Sequence, residues 1–118
     1  MNNYDQQDAS RLIPLLNSIM QEISDRIQAI ALTEANLREM DKDEKAGRPG
    51  QALAAALMNH RRELRQCRKE INRLGCVFDE DQPYRILIPG NDGQLSGGYA
   101  WQTGEASIET RTPDTSNR

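Results

Sequence analysis

The chain has 118 residues, a common size for one domain, with 15 Lys and Arg against 18 Asp and Glu and a formal net charge of −3. Hydrophobic residues are 36% and aromatic residues only 4%, namely Tyr4, Phe78, Tyr84, Tyr99 and Trp101, which leaves little material for a ligand-binding pocket. The longest apolar run, Ala52 to Met58, is far short of the ~20 residues that cross a bilayer, so no membrane role is expected. The apolar residues are nonetheless too regularly spaced for a simply disordered chain.

The first residues, Met1 to Asp5, hold neither the basic cluster nor the apolar core of a secretory leader, and no Asn-x-Ser/Thr sequon occurs. Cys67 and Cys76 read as small buried hydrophobes rather than a disulfide. A reducing, cytoplasmic compartment is the expectation.

Taken in order, residues 5–46 read as one long helix. Asp5 is its cap, with Asp8 three residues on in capping-box position. Pro14 predicts a kink near Arg11–Ile13, because it lacks the N–H that would bond back to Ser10. Leu16, Ile23, Ile30 and Leu37 then recur at heptad spacing, with Ile19, Met20 and Ile27 between. Asp41 to Lys45 reads as a solvated last turn, and Gly47-Arg-Pro-Gly50 as a stop and turn.

Residues 51–74 read as a second helix, carrying Leu57, Leu64 and Ile71 at the same spacing, with Leu53, His60, Cys67 and Leu74 between; Gly75 ends it. Two striped helices joined by a short turn predict an antiparallel hairpin of coiled-coil type. The first helix is roughly 60 Å long and the second roughly 36 Å at ~1.5 Å per residue. The overhang holds Leu12, Ile13, Leu15, Leu16, Ile19 and Met20. Either the C-terminal strands cover it or another subunit does, and with half of each stripe exposed a two-fold dimer is the simplest expectation.

Residues 76–110 change period and read as a small antiparallel sheet. Tyr84 to Ile88 is one strand, Gly90 to Gly93 a hairpin turn, and Gln94 to Gln102 a second strand. Gly97-Gly98 within it marks a bulge or a close backbone approach. Thr103-Gly104 turns into Glu105 to Thr110, and 111–118 reads as a disordered tail. The fold class expected is α+β, one domain over 1–118: a long antiparallel two-helix hairpin followed by a small C-terminal antiparallel sheet.

The net charge hides a pattern. Residues 1–45 sum to −4, 46–75 to +5 and 76–118 to −4. Arg61, Arg62, Arg65, Arg68, Lys69 and Arg73 form one flank of the second helix, and Glu63 and Glu70 fall on the other. Such a flank can hold nucleic acid by charge alone, although the helix lacks aromatics on which single-stranded bases would stack. The plainer reading pairs it with the acidic first helix, its own or a partner's.

Catalytic motifs are sparse. His60, the only histidine, lies opposite Leu37 and Glu34 if the turn centres near Arg48–Pro49, and is read as a seam histidine bonded to Glu34 rather than a general base. His60 and Cys67 are ~10 Å apart along the axis, too far to share a zinc ion. Asp79-Glu80-Asp81 lacks the Gly and Glu of an EF-hand loop, with Tyr84 and Gly90 in their places. Gly90-x-x-Gly93 is no phosphate loop, and no serine stands in a nucleophile elbow. No metal, no cofactor and no catalytic residue is expected.

Three stretches resemble a known family. Asp8-Ala9-Ser10-Arg11-Leu12-Ile13-Pro14-Leu15 is similar to the opening E-A-N-x-L-L-P-x of a bacterial family called domain of unknown function 2203. Leu74-Gly75-Cys76-Val77 resembles its L-G-V, and Asn91-Asp92-Gly93 followed by Tyr99-Ala100-Trp101-Gln102-Thr103-Gly104-Glu105 resembles its D-G-R and L-C-W-x-x-G-E. The chain departs from the pattern at Ala100, where the family has Cys, and at Arg111-Thr112, where it has Trp-His. The resemblance implies an architecture and no activity.

The functional expectation is a non-catalytic, oligomeric structural or interaction module. Leu12, Leu15, Leu16, Ile19, Met20 and Trp101 are its oligomer or sheet-packing surface, and a protein partner fits the same reading. The alternative is a nucleic-acid-associated protein using Arg61, Arg62, Arg65, Arg68, Lys69 and Arg73. A third is a small-molecule site near Trp101 and Glu105.

Overall fold

A computed structural model describes residues 2–111. The element order is α1 (Gln6–Arg11), α2 (Ile13–Glu39), α3 (Lys42–Ala46), α4 (Arg48–Arg73), then strands β1 (Val77–Phe78), β2 (Arg85–Ile88), β3 (Tyr99–Gln102) and β4 (Glu109–Thr110). The long helices α2 and α4 pack together, and a four-stranded antiparallel sheet follows, so the protein is α+β. Except for Arg111, the tail expected at 111–118 lies outside the described residues. By contacts the chain divides into two units, Met1–Met20 with Lys69–Arg118, and Gln21–Arg68.

The single helix expected for 5–46 is three helices. Asp5 caps α1, its carboxylate accepting from the Asp8 N–H at 2.7 Å. The helix ends at Arg11 and restarts at Ile13, which places the break where Pro14 removes a backbone donor. A second break follows Glu39. Asp41 accepts from the Glu44 N–H at 2.8 Å, and the Glu44 carboxylate accepts from the Asp41 N–H at 3.1 Å. This full capping box starts α3, so the charged stretch read as a solvated last turn begins a new helix.

The stop expected at Gly47 to Gly50 also differs. Gly47 caps α3, but α4 already begins at Arg48. Pro49 sits in its first turn, where no N–H is needed. Gly50 lies inside the helix, and a Cβ there would stand 2.3 Å from the Lys45 carbonyl oxygen, so only glycine admits the close approach of α3. At the far end Gly75, at φ +81, terminates the helix, and the Cys76 N–H donates back to the Ile71 carbonyl at 3.2 Å.

In the unit formed by the N-terminal residues, the end of α4 and the sheet, the core holds Ala9, Leu16, Ile19, Met20, Ile71, Cys76, Ile86, Ile88, Tyr99 and Trp101. The strands form a meander in the order β1-β2-β3-β4. Phe78 pairs with Ile86 and Ile86 with Trp101, while Ile88 pairs with Tyr99. Alternation along each strand puts these residues on the core side. Arg85 and Gln102, and Ala100 and Glu109, pair on the opposite face. The second strand is shorter than expected, because residues 89–98 form a turn-rich connection. In it the Gly90 N–H donates to the Gln94 carbonyl at 2.9 Å and the Gly98 N–H to the Leu95 carbonyl at 3.1 Å. Gly98 is a close backbone approach, since a Cβ there would lie 2.1 Å from the Ile88 carbonyl oxygen. The N-terminal residues are tied in by Tyr4, whose hydroxyl donates to the Leu74 carbonyl at 2.7 Å and whose N–H donates to the Gly90 carbonyl at 3.1 Å.

In the unit Gln21–Arg68, two antiparallel helices supply all the apolar cover. Ile23 and Cys67 are buried, whereas Ile30, Leu37, Leu53, Leu57 and Leu64 are only half-buried. Ile27 is 43% exposed, and Leu32 and Met58 face solvent outright.

Candidate functional site

The basic flank of α4 follows from helical spacing. Arg61, Arg62, Arg65, Arg68, Lys69 and Arg73 are all exposed, while Leu57, Leu64, Cys67 and Ile71 of the same helix are buried or half-buried. Only Arg61 is neutralised from the first long helix, its Nη2 lying 2.6 Å from Glu34 Oε2. Arg62 donates to the uncharged side-chain oxygen of Asn59 at 2.7 Å. Among the described residues, the side chains of Arg65, Arg68, Lys69 and Arg73 have no hydrogen-bond or ion-pair partner. The acidic first helix of the same chain therefore leaves most of this flank uncompensated.

His60 does not meet Glu34. Its Nδ1 lies 2.9 Å from Arg26 Nη1, and because a guanidinium only donates, Nδ1 is the acceptor. The chain reverses through α3, ahead of Arg48–Pro49 where the turn was expected. Arg26 in turn is held by Glu22, and that hydrogen bond is the foremost cause raising its pKa above the ordinary arginine value.

Of the six residues expected to form an oligomer or sheet-packing surface, Leu16, Ile19, Met20 and Trp101 are buried within the single chain. Leu12 is half-buried. Leu15 is 43% exposed and lines, with Ile19, Glu70, Arg73 and Leu74, a shallow groove of about 200 Å³.

A larger hollow of about 410 Å³ lies on the outer face of the sheet. The cross-strand pairs Arg85–Gln102 and Ala100–Glu109 form its floor, and Gln82, Glu105 and Ser107 its rim. The small Ala100 side chain opens its middle. Trp101 is not part of it: its ring points to the core, 1% exposed, and its Nε1–H donates to the Glu105 carbonyl at 2.9 Å. Of the pair Trp101 and Glu105, only Glu105 lines the hollow.

Arg85 dominates this site. Its side chain is 22% exposed, its Nε stands 3.4 Å from Asp79 Oδ2 and its Nη2 3.8 Å from Glu109 Oε2. The Asp79 approach is coulombic without hydrogen-bond alignment, so the buried Nε has no hydrogen-bond partner. Backbone geometry fixes where Arg85 begins. Tyr84 adopts φ +62, and its carbonyl accepts from both the N–H and the hydroxyl of Thr103, at 2.8 and 2.7 Å. Sequence reading assigns no site role to Arg85, Gln82, Gln102, Ser107 or Glu109. The available signal was slight: Arg85 and Gln102 are polar on that face, but Leu87 and Ala100, which share it, are apolar.

Among the described residues no helix is long and apolar enough to cross a membrane, and no group of three or more His, Cys, Asp or Glu is placed to hold a metal ion. No curated protein and no solved structure matches the chain. The family described as "Uncharacterized conserved protein (DUF2203)" matches residues 3–111, across both units and all four strands, and the chain belongs to that family.

Proposed function

We propose that the protein is a non-catalytic interaction module that self-associates through the helical hairpin of residues 21–68. One observation carries this reading: Ile30, Leu37, Leu53, Leu57 and Leu64 form the facing stripes of two helices yet stay half-buried, with Ile27 exposed beside them. Two helices cannot enclose their own seam, and a second copy of the hairpin supplies the missing faces of a four-helix core. Leu16, Ile19 and Met20 contribute nothing here, because the chain buries them itself. Sedimentation equilibrium at micromolar concentration tests the reading. A dimer mass that falls on dilution is the expected result, and a clean monomer mass overturns it.

A second reading has its own observation. The exposed, uncompensated Arg65 and Arg68, with Arg62 held only by a neutral partner, present positive charge to solvent. The flank suits the phosphate backbone of a nucleic acid, bound by charge and not by base stacking. Titration of duplex DNA and RNA at low salt tests it, and the absence of any binding there removes it.

A further inference from the structure

We propose that the hollow around Arg85 binds a small zwitterion of the free amino-acid class, its carboxylate on the Arg85 guanidinium and its ammonium on the carboxylates of Glu105 and Glu109. Arg85 is short of hydrogen-bond partners. A guanidinium has five N–H donors in a planar fork matched to a carboxylate. Here one hydrogen bond is made, from Nη1 to Gln82 Oε1 at 3.4 Å, at the long limit for such a bond. The acids near it approach only to 3.4 and 3.8 Å. The Nε is closed to solvent beside Asp79, so the donors a ligand can reach are those on Nη1 and Nη2.

The charge around the hollow selects the ligand class. A simple anion would meet Arg85 but also Glu105 and Glu109, which repel it. A simple cation would meet the two glutamates but also Arg85. A molecule carrying both charges a few bonds apart satisfies each side. The neutral side chains of Gln82, Gln102 and Ser107 supply donors and acceptors for the rest of it. The volume of about 410 Å³ falls in the range of small-molecule sites and holds a free amino acid with room for water. Polar walls explain how a chain with so few aromatics forms a pocket at all. The floor is rigid, since Arg85 and Gln102 are paired across β2 and β3, and Thr103 pins the carbonyl before Arg85. Self-association through residues 21–68 plays no part in this proposal.

The test is an NMR titration of the full chain with each of the twenty L-amino acids, following the side-chain amides of Gln82 and Gln102 and using the Trp101 indole as an internal control. At least one amino acid is expected to shift the two amides saturably by about 10 mM while the indole stays in place. Its N-acetyl and its C-terminal amide derivatives, each lacking one charge, are expected to bind at least about tenfold more weakly. Glu109→Gln, at an exposed position, should weaken the amino acid by a similar factor and tighten the N-acetyl derivative, from which it removes a repelling charge. No shift with any of the twenty overturns the proposal. So does an N-acetyl derivative that binds as tightly as its parent, which would make the hollow a plain anion site.

Discussion

The indole of Trp101 and the backbone of Glu105 are joined by a 2.9 Å hydrogen bond that ties the turn after β3 to the core of the sheet. One residue thereby faces inward while its partner's carboxylate stays on the rim of the outer hollow. The bond runs to the carbonyl, so the two residues separate cleanly by mutation. Trp101→Ala is expected to cost about 3–5 kcal/mol and Trp101→Phe about 1–3, the latter through the lost hydrogen bond and a smaller void. Glu105→Ala keeps the acceptor and should stay within about 0.5 kcal/mol of the parent. Urea unfolding followed by the far-ultraviolet circular dichroism of the helices measures all three.

Two glycines predict opposite severities. At Gly98 a Cβ would meet the Ile88 carbonyl oxygen at 2.1 Å and the Gly90 nitrogen at 2.8 Å, both backbone atoms that cannot swing away. Gly98→Ala should cost more than about 3 kcal/mol or prevent folding. Gly104 has φ +91 with open space around it, so Gly104→Ala meets only the backbone penalty, about 1–2 kcal/mol. The order of the two melting temperatures decides the matter.

Cys76 predicts an alkaline limit to stability. Burial pushes its thiol from 9.0 up to about 12, and Tyr4 is also raised above 10.0, first by burial and then by the charge Cys76 would carry. A group whose folded pKa lies above its unfolded value binds its proton more tightly when folded. Its contribution is complete below about pH 9 and is lost as pH rises toward about 12. Stability measured by urea at stepped pH should fall across that window. Cys76→Ala, which removes the thiol and one cause of the Tyr4 shift, should flatten the fall. A parent curve that stays level to pH 12 would refute the assignment.

The two readings of the helical hairpin call for different substitutions. Ile27→Lys places a charge beside the exposed seam without emptying the core, and should weaken self-association at least tenfold, or by about 1.4 kcal/mol, with the monomer still folded. Arg65→Glu with Arg68→Glu should leave self-association alone. If nucleic acid binds, this pair should lower the salt slope by about two phosphate contacts. Sedimentation and a salt-stepped binding titration separate the effects.

Local chemistry was legible without a structure. A carboxylate at Asp5, a missing donor at Pro14 and a positive φ at Gly75 act within a turn or two of themselves, and apolar periodicity marks α2 and α4 as long helices that pack together. The capping box at Asp41 was equally local, but the charged residues around it imitate a solvated helix end. Pro49 and Gly50 read as breakers because their tolerance depends on position: a proline is harmless in a first turn, and Gly50 is required by the approach of another helix. What the sequence by itself determined is the α+β order, a striped hairpin and then a short-stranded sheet, because those periods are properties of neighbouring residues. Tertiary structure alone decided that His60 meets Arg26, that Leu16, Ile19 and Met20 are buried by their own chain, and that Arg85 stands over a hollow. Alternation tells which strand residues share a face. Which face is covered, and which helix residue lies opposite another, depends on where a turn ends and what packs there, and those are contacts between residues far apart in the chain.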